Sequence, residues 1–418
     1  MIKKYSGIIC LATVALYVFF AAPALAKEIN YPVHSYDDVE LAKVRAWEKQ
    51  WVGKIIDKSN VDQVKDFLPP SQYDFIINPE VWGASSFTIV PYETYPFTPG
   101  KIKFTKAGNA SLDKEGILQN YVAGVPFPEP KNGAELSWNF WTWNRFDSSE
   151  RKAYGYITDG RLKYDRNIGQ LAHAMQFSGR CDTPPVPEFP KNPKKIFRAS
   201  MSTWVNPVEL KGSITLELRY KDWAREYDAW NFSAANRRVR RLSTAERMET
   251  IDGADFSRDD SGQWDGLMTR NTYDIVGRKD MLICRHQDMT KLIHTEGEVN
   301  LKGWQKERIK VWVVGVKTKE KGYIYSKQTW YVDPELWKIM YSEKYDKYGK
   351  LWRIQEHAHV VQEGKNGITD VDYYGSNGID VQRRHSTHIL LDPAGAIMGG
   401  TQMRTNFFSP KNLLKIGR

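Results

Sequence analysis

The chain has 418 residues and a formal net charge of +10, and 13% of it is aromatic, including 15 Trp and 22 Tyr. That length exceeds the roughly 250–300 residues at which a single core stops growing, so one large sheet with appended segments, or two lobes, is expected. The aromatic richness favours half-buried strands, and the modest basic balance suits anionic lipid headgroups; nucleic acid is not an expected partner for an exported chain.

Export is written at the start. Lys3 and Lys4 precede an almost wholly apolar run from Ile8 to Phe20, and Ala24-Leu25-Ala26 supplies a small-x-small cleavage pattern ahead of Lys27-Glu28. The run is shorter than the roughly 20 residues that a comfortable membrane span needs. A signal peptide over residues 1–26, cleaved after Ala26, and a periplasmic location are therefore expected. Cleavage leaves 392 of the 418 residues, and loss of Lys3 and Lys4 takes the charge from +10 to +8. Cys10 leaves with the leader. Cys181 and Cys284 remain as an even pair in an oxidising compartment, and a Cys181–Cys284 disulfide is expected.

Residues 36–58 read as a helix. Ser35 stands at its cap, Asp37 and Asp38 suit the positive helix end, and Val44, Trp47, Trp51 and Ile55 form an apolar stripe. A second short helix runs from Asn60 to about Leu68, where Pro69-Pro70 stops it. Residues 79–133 read as irregular. From Leu136 to Asn144 the chain, with three Trp, reads as extended, and the prolines of residues 183–195 mark a loop or strap. Clear alternation follows: Ile214, Leu216, Leu218 and Tyr220 share one face, and Thr215, Glu217 and Arg219 the other. Further strands are expected at 227–232, 237–242, 309–317, 323–332, 337–345, 351–361, 369–374 and 385–391, with a tight turn at Asp346–Gly349. Short connections make the sheet antiparallel and meandering.

Nucleophile-elbow, zinc-protease, phosphate-loop and dinucleotide signatures are absent from the sequence. Two Ser-x-x-Lys matches, at Ser111 and Ser149, lie in polar turn-like sequence without partner motifs and read as chance. His357 and His359 stand two apart on an expected strand, a spacing that can chelate a metal, but no third ligand is evident. Asp259-Asp260 lies in a glycine-flanked connection without the acidic order of a calcium loop. In Arg237-Arg-Val-Arg-Arg241, Arg238 and Arg240 share a strand face; they are candidates for headgroup or carboxylate binding, against the plainer reading of solvated arginines.

The run Gly124-Val-Pro-Phe-Pro-Glu-Pro-Lys-Asn-Gly133 with Trp138-Asn139 resembles a bacterial family of unknown function whose members are described as outer-membrane lipoprotein-sorting proteins. Trp230 through Arg241, Asp259-Asp260 with Trp264-Asp-Gly266, Trp330-Tyr-Val-Asp-Pro334 and Gly349-Lys-Leu-Trp-Arg353 resemble it in the same order. The resemblance covers roughly residues 120–360. It implies a mainly β fold with helices, similar to the carriers LolA and LolB: a curved antiparallel sheet or incomplete barrel whose concave face is covered by helices and binds acyl chains. It also implies a resistance-nodulation-division exporter or outer-membrane component as partner, and it supplies no catalytic residues and no cofactor.

Residues 27–120 are thus expected to pack as a helical and irregular segment on an antiparallel domain, 121–418. The expected function is that of a periplasmic carrier for a lipid or other hydrophobic ligand, lined by Trp47, Trp51, Trp138, Phe140, Trp230, Phe232 and Trp330. In this reading the helix with Trp47 and Trp51 is a lid over the cavity. Two alternatives stand beside it: an envelope hydrolase or metal-dependent enzyme using the histidines and Asp259-Asp260, and a ligand-free structural partner of an exporter.

Overall fold

A computed structural model describes residues 29–142, 146–392 and 396–417. The expected signal peptide and its cleavage site lie outside the described residues.

The first helix, α1 (Asp38–Trp51), is closed at its start by Asp37, not Ser35. Asp37 accepts the Glu40 amide at 2.8 Å while the Glu40 carboxylate accepts the Asp37 amide at 3.4 Å. It stops at Trp51, short of residue 58, because Gly53 turns the chain at φ +86° into a short strand, β1 (Ile55–Ile56), and Ile55 is exposed. A 3-10 turn, Val61–Phe67, ends before Pro69, and Pro70 then opens α2 (Pro70–Ile77), where its fixed φ is favourable. The stretch expected to be irregular carries α3 (Pro79–Trp82), β2 (Phe87–Ile89), α4 (Pro99–Lys106), β3 (Ser111–Leu112) and β4 (Leu118–Gln119).

Residues 136–142, the described part of the stretch expected to be extended, are helical. Gly133–Thr142 forms α5, buried along its length from Leu136 to Thr142. Asn132 accepts the Glu135 amide at 2.9 Å and Glu135 reaches back to the Lys131 amide at 2.6 Å, so the turn is capped from both ends. An apolar run without periodicity looks alike in a buried strand and in a helix that is apolar all round.

The remaining chain is β5 (Ser148–Thr158), β6 (Tyr164–Gln176), β7 (Ile196–Asn206), β8 (Ile214–Tyr220), β9 (Asp228–Ser233), β10 (Arg238–Arg241), β11 (Asn271–Ile283), β12 (Trp304–Thr318), β13 (Lys327–Val332), β14 (Ile339–Tyr345), β15 (Leu351–Glu363), β16 (Thr369–Asp380), β17 (His385–Leu391), β18 (Ile397–Met398) and α6 (Pro410–Ile416). Two antiparallel meanders, β5 to β10 and β11 to β17, are joined side by side where β17 pairs with β5, from Ser386 opposite Thr158 to Leu391 opposite Ala153. β2 adds to β12 in parallel, so the N-terminal segment contributes strands to the sheet as well as helices. The result is one curved, mixed, sixteen-stranded sheet that does not close into a barrel. The turn between β14 and β15 forms as its sequence requires. Gly349 has φ +79°, and the Asp346 carboxylate accepts the amides of Tyr348 and Lys350, each at 2.9 Å.

Both faces of the sheet are covered. On β12, Ile309 and Val311 join a cluster with Phe75 and Trp82 of α2 and α3, while Val314 and Val316 join Trp138 and Trp141 of α5 and Trp330. Strand alternation puts these on opposite faces. On β8, Ile214, Leu216 and Leu218 pack under Phe408 and Leu413 at the C-terminal end.

The expected disulfide is not formed. Cys181 and Cys284 are free buried thiols in separate surroundings. Cys181 lies 3.7 Å from the Gly179 carbonyl, and Cys284, among Leu282, Trp304 and Ala358, points at Gln287 Oε1 at 3.3 Å. Burial pushes both thiols up, so neither forms a thiolate at neutral pH. Counting cysteines and naming a compartment cannot reveal that two residues a hundred positions apart belong to different parts of a sheet.

Candidate functional site

A cavity of about 330 Å³ opens over the first meander. Its floor is one face of β5 to β8, and its space comes from small side chains. Ala172 and Ala174 of β6 lie opposite Ser202 and Ser200 of β7, which in turn lie opposite Thr215 and Glu217 of β8, and all six line the cavity. The other face of the same strands is filled by Met175, Ala199, Met201 and Leu216. The polar side of β8 therefore meets a cavity where bulk solvent was the simpler reading.

The cover is built from α5 and the connection after β10. α5 brings Phe140 and Trp141, and β7 adds Trp204. The connection carries a 3-10 turn, Arg258–Gln263, that ends with Gly262 and Gln263 in left-handed conformation, at φ +60° and +84°. For Gln263 that backbone is strained. It is held by hydrogen bonds of its side chain to Ser342, at 2.6 Å, and to the Gln355 carbonyl, at 3.2 Å. These contacts aim Trp264 and Asp265 into the site.

Beneath the turn, Asp259 and Asp260 are wholly buried. Asp259 pairs with Arg247 and accepts from the Tyr323 hydroxyl at 2.9 Å. Asp260 accepts from Lys344 at 2.6 Å and from the Tyr325 hydroxyl at 2.7 Å. Burial pushes the Asp259 carboxyl up to about 6 against the pull of Arg247. Burial acts the same way on Asp260, but Lys344 and Arg353 outweigh it and hold that carboxyl below its ordinary value. Both carboxylates anchor the loop, so neither faces the cavity lining.

The cavity wall carries Arg151, Arg198, Arg219, Arg258 and Lys338 against Glu217 and Asp265. Arg198 and Arg219 both pair with Asp265. Arg219 lies 3.7 Å from the centre of the Tyr227 ring, and Arg198 lies 4.8 Å from that of Trp141. Burial pulls the Arg219 guanidinium down, but Asp265 and Glu217 outweigh it and hold it above its ordinary value. Burial pushes the Glu217 carboxyl up, opposed by Arg219. Arg151 is engaged by Asp372 at 2.8 Å.

Of the residues expected to line a cavity, Phe140 does so. Trp138 and Trp330 lie in the core behind it, with Trp330 5.7 Å from Phe140 between ring centres. Trp230 and Phe232 pack in the cluster on the opposite face, under α6. Trp47 and Trp51 stack on each other at 5.8 Å in a third cluster, and Trp47 faces Arg308. Arg238 and Arg240 are exposed on the edge strand β10, and Arg240 pairs with Glu246 at 2.5 Å. His357 and His359 are buried on β15, 6.2 Å apart between ring centres. Among the described residues no group of three His, Cys, Asp or Glu side chains could hold a metal ion, and no helix is long and apolar enough to cross a membrane. Of the cavity's own arginines, Arg198 and Arg258 carry no signal in the sequence, and that of Arg219 is a strand, 214–220, whose second face is polar.

A family model described as a protein of unknown function, DUF1329, matches residues 55–414. An uncharacterized protein of Pseudomonas aeruginosa is 28% identical over 326 residues, covering 73% of this chain and 69% of its own length. A solved DUF1329 family protein from Desulfovibrio piger is 15% identical with a TM-score of 0.46, over 64% of this chain and 92% of that one. A putative outer membrane lipoprotein-sorting protein domain from Vibrio parahaemolyticus is 15% identical with a TM-score of 0.45, over 64% and 91%. A LolA superfamily protein from Nitrosomonas europaea is 10% identical with a TM-score of 0.39, over 63% and 91%.

Proposed function

We propose that this chain, which belongs to the DUF1329 family of proteins of unknown function, is a non-catalytic carrier that holds a lipid or other hydrophobic ligand in the cavity over β5 to β8. The observation that carries this reading is the cavity itself, about 330 Å³ of space walled by Phe140, Trp141, Trp204 and Trp264. Apolar surface moved from water into such a site gains roughly 25 cal/mol per Å². Binding therefore needs no reacting group. The leader-like residues 1–26 support a periplasmic setting, and the carrier would there hand its ligand to or from an envelope exporter or an outer-membrane component.

The neutral fluorescent probe N-phenyl-1-naphthylamine tests the cavity. Wild type should bind it with enhanced fluorescence. Ala174→Trp, which puts an indole into the cavity floor, should lower that affinity by about tenfold or more while leaving the sheet folded by circular dichroism. A wild type that binds no apolar probe removes the carrier reading and leaves a structural partner in its place.

A further inference from the structure

We infer that the ligand of this cavity is an anionic amphiphile, whose carboxylate- or phosphate-type head is held by Arg198, Arg219 and Arg258 and whose apolar body lies against Trp141 and Trp264. The inference rests on the carrier reading above and names the ligand class.

Arg198 and Arg219 stand directly opposite each other on β7 and β8. Like charges in that position repel. A sheet keeps such a pair only where something negative sits between them. Asp265 fills part of that role by pairing with both. One carboxylate shared between two arginines, however, does not use up the five donors of the Arg219 fork. Arg219 is 5% exposed, and its Nε and Nη1 are buried without a hydrogen-bond partner. Buried charged donors left without an acceptor are costly, so the Arg219 charge is under-compensated, and a ligand oxyanion at the cavity wall beside it would stabilise that charge.

Arg258 adds the third cation from the covering turn. It lines the cavity half-buried and, among the described residues, makes no hydrogen bond or close ion pair. The carboxyls that act on it electrostatically are Glu217 and Asp252. Three arginines against Asp265 and Glu217 leave this corner with a surplus positive charge even when both acids are ionised. The apolar half is next to it: the Arg198 guanidinium covers the Trp141 face, and Trp264 immediately precedes Asp265 in the chain. Charge and apolar wall are thus adjacent in one enclosure, as a molecule with a charged head on a greasy body requires. A purely apolar ligand would desolvate Arg258 without answering its charge, and a small inorganic anion would leave the aromatic wall unfilled.

The test is displacement of N-phenyl-1-naphthylamine from the full chain by dodecanoate, dodecyl phosphate and dodecanol, each below its micellar concentration. Both anions should displace the probe at about tenfold lower concentration than dodecanol, corresponding to one charge-assisted contact. The more potent of the two identifies the head as carboxylate or phosphate. Arg258→Gln, which breaks no ion pair, should erase most of that preference, read as the ratio of dodecanol to anion potency within the variant so that any change in its affinity for the probe cancels. Equal potency of dodecanol and dodecanoate would overturn the anionic head while leaving the carrier reading intact. Equal anion preference in wild type and Arg258→Gln would overturn the assignment of the head to this cluster. Absence of any probe binding would remove the carrier reading and this inference with it.

Discussion

Asp259 and Asp260 are neighbours in sequence, equally buried, and shifted in opposite directions. Their difference is local. Asp260 faces Lys344 and Arg353, while Asp259 shares Arg247 with Glu320. Because the folded Asp259 takes up its proton at about 6, above its ordinary value, its contribution to stability is full at low pH and is lost as pH rises from about 4 to 6. Asp260 has the reverse sign: its contribution is present above the ordinary carboxylate range and is lost as pH falls below it. The variant Asp259→Asn fixes the neutral form, so its stability relative to wild type should rise by about 3 kcal/mol between pH 4 and pH 7 in urea titrations. A gap independent of pH would show that burial leaves the Asp259 carboxyl unshifted. At the same scale, the two separated cysteines predict two titratable thiols in denatured, unreduced mature protein, and a third if Cys10 is retained with the leader. No reactive thiol would contradict their separate burial.

At the scale of elements, legibility followed periodicity. The residue pattern of β8 matched its strand from Ile214 to Tyr220, and the Asp346–Gly349 turn matched its hairpin, because local chemistry decides both. β6 and β7 were missed because the cavity floor needs Ala172, Ala174, Ser200 and Ser202, side chains too small to signal a buried face. α5 was read as extended because burial on all sides erases the helical stripe. α1 is legible as a helix, and Val44, Trp47 and Trp51 of its apolar stripe pack, whereas Ile55 lies beyond its end and is exposed. Trp51 packs with Ile56, Phe87 and Trp304, apart from the cavity lining. Trp51→Ala should therefore cost about 3–5 kcal/mol of stability, yet the folded fraction should bind N-phenyl-1-naphthylamine with wild-type affinity. A lid would give the opposite pattern, with loss of ligand retention ahead of any loss of fold.

The main sheet is built from two meanders with β1 and β2 added beside β12, and only the order within each meander is local information. The seam joins β17 to β5 across most of the chain, with the Thr158 hydroxyl 2.7 Å from that of Ser386, 228 positions away. Such a pairing is fixed by register and burial, neither of which a single sequence displays. The fold class was legible from aromatic alternation and from the resemblance, and the structure gives a mostly β molecule with an unclosed sheet. Of the expected lining residues Phe140 borders the cavity, whose other aromatics come chiefly from α5 and the loop at Trp264 and whose charge comes from β5, β7, β8 and the covering turn, which no pattern of aromatics on strands displays. Native mass spectrometry of protein isolated from the envelope, wild type beside Ala174→Trp, reads directly whether the cavity is occupied. A bound amphiphile should appear as added mass on wild type that Ala174→Trp lacks; identical ligand-free masses for the two, or the same adduct on both, would mean that the cavity over β5 to β8 holds no ligand.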